Sequence, residues 1–288
     1  LNDGLGLLPT PSQADIDASI ELGIQRANKI KYSFQQVWLQ YSKYAWGYDE
    51  LKPISHHGSD NWGGMGVTLV DTLDTLWIMD LKDEFNKARQ WVSQHMTYSK
   101  ANTVSVFETT IRVLGGLLSA HNLSKGDESS SSSSPFLEKA IELGEKLSPA
   151  FSTSSGIASS QLDIQTGHTS SGWTGNSAIL SELGSLQIEF RNLAMYSKKQ
   201  KYEDISMRGL KFLYTRMPAN GLLPVKIDIA SGRGTDSTIT FGALGDSFYE
   251  YLLKLWIQGN KKETWLREMY DNAMNGMMDM LLASSQPG

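Results

Sequence analysis

The chain has 288 residues, 40% hydrophobic and 20% charged, with a formal net charge of −5, which is enough apolar material for one large or two ordinary globular domains. The acidic balance, without a long basic run, excludes the electrostatic footprint of a nucleic-acid binder. With no cysteine there are no disulfides or thiolate metal sites, and no apolar run nears the ~20 residues needed to cross a bilayer.

Residues 1–12 carry Gly4, Gly6, Pro9 and Pro11 and read as an extended leader without the layout of a secretion signal. The chain opens at Leu1 and not at Met, which leaves room for a removed signal or a membrane anchor upstream. Over 14–45, Ile16, Ile20, Ile24, Ala27, Ile30, Phe34, Val37 and Leu39 recur mostly at steps of three and four, the spacing of a helix face. A loop marked by Pro53 and a Gly-rich end follows, then helices over 67–79 and 83–96.

The stretch 103–124, TVSVFETTIRVLGGLLSAHNLS, places Val104, Phe107, Ile111, Leu114 and Leu118 on one helix face. Glu108 and Arg112 lie within it. At a spacing of four they read most simply as a surface ion pair worth a few tenths of a kcal/mol. Val106 and Val113, however, extend the apolar surface around both charges, and charges among apolar residues are costly unless paired or used. The same stretch ends in Asn122-Leu123-Ser124, an acceptor pattern for N-glycosylation.

Residues 125–135 include six consecutive serines, Ser129 to Ser134, and read as a low-complexity surface insertion and not a domain boundary, because helix resumes at Phe136. A Ser/Thr/Gly-rich loop covers 151–172. Helices are predicted over 175–197, 203–216, 242–257 and 262–283, and 218–239 reads as loop with a short hairpin. About nine helices in near-regular pairs, without a βαβ unit, give an all-α protein built from helical hairpins.

Several of these apolar helices carry acids. Asp71 and Asp74 are three apart, Glu182 and Glu189 seven apart and hence on one helix face, Asp246 and Glu250 four apart. Like charges at such spacings cost stability. Each acid alone has a bland reading, and Glu250 lies four residues before Lys254. Four helices sharing the habit imply an acid-lined pocket inside a bundle or ring of helices. A di-metal carboxylate bundle would need Glu-x-x-His, and a zinc hydrolase His-Glu-x-x-His; neither occurs, nor does a phosphate-binding glycine loop. The histidines (His56, His57, His95, His121, His168) are scattered and read as surface residues. Glycoside hydrolysis remains, which needs a carboxylic acid of raised pKa and a second carboxylate. Among the eight tryptophans, Trp46, Trp62 and Trp173 lie in or beside Gly-rich loops and are the candidates for stacking on a sugar.

Five segments, AWGYDELKPIS, TLVDTLDTLWIM, SVFETTIRVLGGLLSA, SELGSLQIEF and GDSFYEYLLKLW, occur in this order from near residue 45 to 258. Together they closely resemble the class I α-1,2-mannosidases, glycoside hydrolase family 47. The resemblance implies an (αα)7 barrel, Ca2+ dependence and inverting hydrolysis of α-1,2-linked mannose from high-mannose N-glycans, by a monomer in the lumen of the Golgi or endoplasmic reticulum. It gives Glu108 the role of acid catalyst and Asp246 that of a second catalytic carboxylate. Arg112 and Glu182 match positions lining the sugar pocket, while Asp71, Asp74, Glu189 and Glu250 match other acids of the barrel motifs.

Members of the family continue past the point matching Gly288, with a third catalytic glutamate and a calcium-ligating threonine. Residues 1–288 are therefore expected to form roughly the first two-thirds of a single catalytic domain, incomplete as a ring and inactive alone. Leu244 stands where members resembling the single-mannose-trimming enzyme of the endoplasmic reticulum carry arginine and Golgi-type members carry leucine. The alternative left open is a mannose-binding member that does not hydrolyse and directs misfolded glycoproteins to degradation. The TLWIM and GLLSA segments and the linker composition favour a processing enzyme.

Overall fold

A capping box starts the first helix. Ser12 Oγ accepts from the Asp15 N–H while the Asp15 carboxylate accepts from the Ser12 N–H, and α1 runs over Gln13–Tyr44. The computed structural model describes residues 10–125, 134–170 and 172–283. The apolar stripe foreseen on α1 is only half used. Trp38 and Tyr41 are buried, whereas Ile16, Ile20, Ile24 and Ile30 are exposed, because nothing among the described residues packs beside the first turns.

After α1 the chain alternates between an inner and an outer layer. Inner helices α2 (Val67–Asp71) and α3 (Leu73–Ile78) are backed by α4 (Lys82–Gln94). Next come α5 (Val106–Glu108), a π-helical segment Thr109–Leu114, and α6 (Gly115–Ser124), backed by α7 (Pro135–Leu147). Then α8 (Leu180–Gly184) and α9 (Gln187–Ser197) pair with α10 (Lys201–Tyr214), and α11 (Asp246–Gln258) with α12 (Thr264–Met280). The inner helices touch in the order α3, α6, α9, α11. The result is an arc of helical hairpins, as the sequence predicts.

Two apolar cores hold the arc. The larger joins Leu69, Leu73, Phe85, Leu114, Phe136 and Phe190 across the first three hairpins; the second joins Leu183, Leu210, Phe248, Leu252 and Leu266 across the last two. At roughly 1.5–3 kcal/mol per large side chain fully withdrawn from water, this burial is the main stabilising contribution.

The predicted helix over 67–79 is interrupted at Thr72, and that over 175–197 at Ser185 and Leu186. The loops hold strands that the sequence does not announce, since runs of two or three residues are too short to show alternation. β1 (Glu50–Lys52) pairs with β2 (His57–Ser59). β3 (Thr103–Ser105), β4 (Gln161–Asp163) and β5 (Thr169–Ser170) form a second sheet, and β6 (Ser177–Ile179) pairs with β7 (Lys226–Asp228). All are antiparallel. The short hairpin expected within 218–239 is present, with Ile227 bridged antiparallel to Gly234 and the Thr235 N–H donating to Lys226 O (2.9 Å), and its first strand, β7, pairs in addition with the distant β6. The serine insertion falls almost wholly on residues 126–133, outside the described residues. Its last serine, Ser134, is buried and is the N-cap of α7, ahead of Pro135 in the first turn.

Candidate active site

The small sheets matter because of where they end. β3 runs directly into α5 and β6 into α8, so a strand pairing fixes the start of each of these inner helices. The Val106 N–H donates to Ser160 O (3.0 Å) and the Leu180 N–H to Val225 O (2.9 Å). Glu108, Glu182, Glu189 and Asp246 all fall in first turns of inner helices, where the unpaired N–H groups and the helix dipole favour a carboxylate.

Ser105-Val106-Phe107-Glu108 has the spacing of a capping box, but only half of one forms. Ser105 Oγ accepts from the Glu108 N–H (3.2 Å), while the Glu108 carboxylate turns to Arg112, whose Nε donates to Oε2 at 2.7 Å. Arg112 Nη1 also reaches Asp71 Oδ2 at 3.3 Å. The π-helical segment lies across this point of the helix, and such insertions are frequent at functional sites. Just beyond it the helix comes very close to α2: a Cβ on Gly116 would lie 2.6 Å from Val70 O. This approach brings Asp71, at the end of α2, within reach of Arg112. The triad is not sealed, with Glu108 27% and Arg112 40% exposed. Burial lowers the Arg112 pKa, but the two carboxylates outweigh it and raise the guanidinium above its ordinary value. Asp71 is raised by burial, against the pull of Arg112.

Asp74 extends the cluster, accepting from Ser119 Oγ at 2.9 Å. Glu182 lines a narrow cleft with Val106, Phe107, Ser160, Ala178 and Leu186. Burial raises its carboxyl above the usual range, Ser160 opposes the rise and the Glu108 charge adds to it. Because the helix breaks at 185–186, Glu182 and Glu189 do not share one continuous face. Glu189 faces α11 instead, where its Oε1 accepts from the Tyr251 hydroxyl (2.9 Å) and its Oε2 is buried without a partner. Burial drives this carboxyl up to about 7, against its own N–H, Tyr251 and Lys254.

Asp246 and Glu250 stand apart. They line a groove with Phe241, Tyr249 and Tyr270 and are exposed. Asp246 accepts from the Ser247 N–H (2.8 Å) and Glu250 pairs with Lys254 at 3.3 Å, as its bland reading has it. Among the described residues no hydrogen bond or ion pair joins either acid to Glu108 or Arg112. Leu244 lies in the turn before α11 with φ +75°, a strained conformation for a branched side chain. Its carbonyl accepts from the Ser181 N–H (2.9 Å), tying this turn to the residue beside Glu182.

The tryptophan candidates divide. Trp62 lies 5.7 Å from the Arg112 guanidinium carbon, and its indole N–H donates to Glu50 Oε1 (2.8 Å). Trp173 is 72% exposed, beneath Lys226. Trp46 is partly buried and packs edge-on against Trp38 at 5.9 Å, on the α1 side. His121, expected at the surface, is buried against Tyr196.

Asp49 was not singled out by its sequence. It is fully buried, and its carboxylate accepts from the backbone N–H groups of Trp62, Gly64, Met65, Gly66 and Val67 at 2.7–3.1 Å. No side chain caps α2 locally, at Gly66; Asp49 supplies that anion from across the loop. It thereby fixes both Trp62 and the helix that carries Asp71. The available signal was an acid upstream of a GGMG run, where exposed amides need an acceptor.

The calcium-ligating threonine is expected beyond Gly288, and among the described residues no three His, Asp or Glu side chains are grouped to bind a metal ion, so no chemistry is assigned to one. None of the described helices is long and apolar enough to cross a membrane.

Residues 33–288 match the model of glycosyl hydrolase family 47. The chain is similar to mannosyl-oligosaccharide 1,2-alpha-mannosidase MNS1 of Arabidopsis thaliana, with 41% identity over 99% of this chain and 50% of that protein. To the endoplasmic reticulum mannosyl-oligosaccharide 1,2-alpha-mannosidase of Rattus norvegicus it is 45% identical, over 91% of this chain and 39% of that protein. Its fold matches the alpha-1,2-mannosidase from Trichoderma reesei with a TM-score of 0.81 and 30% identity, covering 89% of this chain and 55% of that one. The chain therefore spans half or less of the length of these curated relatives. With its arc of helical hairpins in agreement with the family match, the chain belongs to glycosyl hydrolase family 47.

Proposed function

We propose that the full-length protein is a mannosyl-oligosaccharide 1,2-α-mannosidase that removes terminal α-1,2-linked mannose from high-mannose N-glycans. The observation that carries this reading is Glu108, held at 2.7 Å by an arginine shared with Asp71 in the first turn of an inner helix. In this reading Glu108, partly open to solvent, protonates the leaving oxygen, and Arg112 fixes which of its oxygens faces the substrate. Asp246, on a separate helix, serves the water that attacks the opposite face of the sugar. Inverting hydrolysis requires two carboxyls far enough apart, about 6.5–9.5 Å, to hold that water, and the absence of a bond between Asp246 and Glu108 is compatible with it. Glu182 lines the pocket wall beside Phe107.

A place in the lumen of the secretory pathway is supported by relatives named for the endoplasmic reticulum. Leu244 carries the finer reading, a Golgi-type enzyme that trims several residues. Ca2+ belongs to the proposal through the family resemblance alone.

The test is release of mannose from a high-mannose glycan, with the first-formed anomer followed by NMR. The inverting reading expects β-mannose; α-mannose formed first would refute it. Glu108→Gln, which keeps shape and removes the titratable proton, is expected to lower turnover by ~10²–10⁴-fold with glycan binding retained. Near-normal turnover would remove Glu108 from the role.

A further inference from the structure

We infer that Asn122 is a glycosylation site of this protein and that the α6 end bearing it faces the lumen. This rests on the proposed secretory address. Asn122-Leu123-Ser124 is the only Asn-x-Ser/Thr sequence in the 288 residues, and the folded structure accommodates its product. Asn122 is exposed at the last turn of α6. Its Oδ1 is occupied, accepting from the Tyr196 hydroxyl at 2.8 Å and from Lys125 Nζ at 3.3 Å. Among the described residues no hydrogen bond engages its Nδ2, so a sugar on that nitrogen breaks no hydrogen bond within them. The two bonds to Oδ1 survive acylamide substitution and hold the side chain in one direction, which restrains the first sugar.

Ser124 behaves differently. It is fully buried, and its Oγ donates to Ala120 O at 2.7 Å. A transferase that must read this hydroxyl acts before α6 closes, while the chain is entering the lumen. The donor is an oligosaccharide on a lipid diphosphate. The anomeric C–O bond to the diphosphate breaks and the lipid diphosphate leaves with the electron pair. The bond from Nδ2 to the anomeric carbon forms, and Nδ2 gives up one proton. Asn122 lies roughly 20 Å further along the same helix than Glu108, at 1.5 Å per residue, so the glycan is remote from the acid-lined pocket.

The experiment expresses the full-length protein in a eukaryotic host, once behind its native leader and once behind a cleavable secretion signal. Asn122→Gln and Ser124→Ala are compared with wild type before and after enzymatic release of N-glycans. Ala is the better helix former and the lost bond is a local back-bond, so the second variant folds even if the first does not. The expected result is a loss of one glycan's mass in both variants, conversion of the asparagine to aspartate in the released wild-type peptide, and unchanged mannose release. An unmodified Asn122 in folded protein secreted behind the added signal overturns the inference alone. Modification behind that signal but not behind the native leader overturns the lumenal reading, and with it the inference for the native protein.

Discussion

Arg112 is bonded to two acids at once, and Glu189 is an acid with one oxygen left unpaired; the two neighbourhoods treat carboxyl groups in opposite ways. Around Arg112 the charge is shared and solvent reaches it. Around Glu189 burial dominates over the opposing pull of its own N–H, Tyr251 and Lys254, and its pKa is lifted from 4.5 to about 7. The native state then binds a proton that the unfolded chain has already lost, so its contribution to stability is full below about pH 4.5 and falls as pH rises through 7. Between about pH 5 and 8 the denaturant midpoint of the wild type should fall more steeply than that of Glu189→Gln, by the equivalent of ~1–3 kcal/mol. Parallel profiles would show Glu189 ionised throughout.

Leu244 concerns specificity at the same scale. Arginine would present five donors in a fixed fork, and leucine presents none, so the proposed Golgi-type reading expects several glycan branches to enter with similar affinity. A digestion time course on the nine-mannose glycan should pass through the eight-mannose stage without pause. Accumulation of a single eight-mannose isomer would refute the Golgi-type reading.

At the scale of elements, the decisive contact is between α2 and α6. Gly116 lets the helix approach Val70 O so closely that an added Cβ would be 2.6 Å away. By propensity alone Gly116→Ala should stabilise a helix by ~1 kcal/mol. The expected outcome is the reverse, a loss of ~2 kcal/mol or more by chemical denaturation, with activity falling further as Asp71 moves away from Arg112. A stabilised variant would mean that the two helices separate freely and that their approach does not place the triad. Strands β3 and β6 act in the same way, since each runs directly into an inner helix and so sets the direction in which its first-turn acid points.

Across the whole molecule, both ends of the arc present apolar surface. Ile16, Ile20, Ile24, Ile30 and Val37 are exposed on α1, and Met278, Met280, Leu281 and Leu282 at or just past the end of α12. Patches of this kind are sticky unless covered. Residues 1–288 expressed alone should bind an apolar dye strongly and self-associate with rising concentration in light scattering. A monodisperse, dye-silent chain would show the faces to be covered within the chain itself.

Sequence periodicity was sufficient for the helices, because burying one face of a 3.6-residue repeat leaves a long-range mark over ten or more positions. It was likewise sufficient for the Glu108–Arg112 pair, whose spacing of four is a property of the helix itself, and for the concentration of acids on the inner helices. It could not give the breaks at Thr72 and at Ser185–Leu186, nor the three small sheets, since these depend on partners up to some sixty residues away and on runs too short to carry a pattern. Asp49 was invisible for the same reason: its five amide donors belong to a loop that only the fold brings around it. The sharing of Arg112 by Glu108 and Asp71, the separation of Glu182 from Glu189 and the burial that lifts Glu189 to about 7 are likewise tertiary facts. A carboxylate's protonation and partners are set by what surrounds it in space, and one residue's neighbours along the chain are a minority of those.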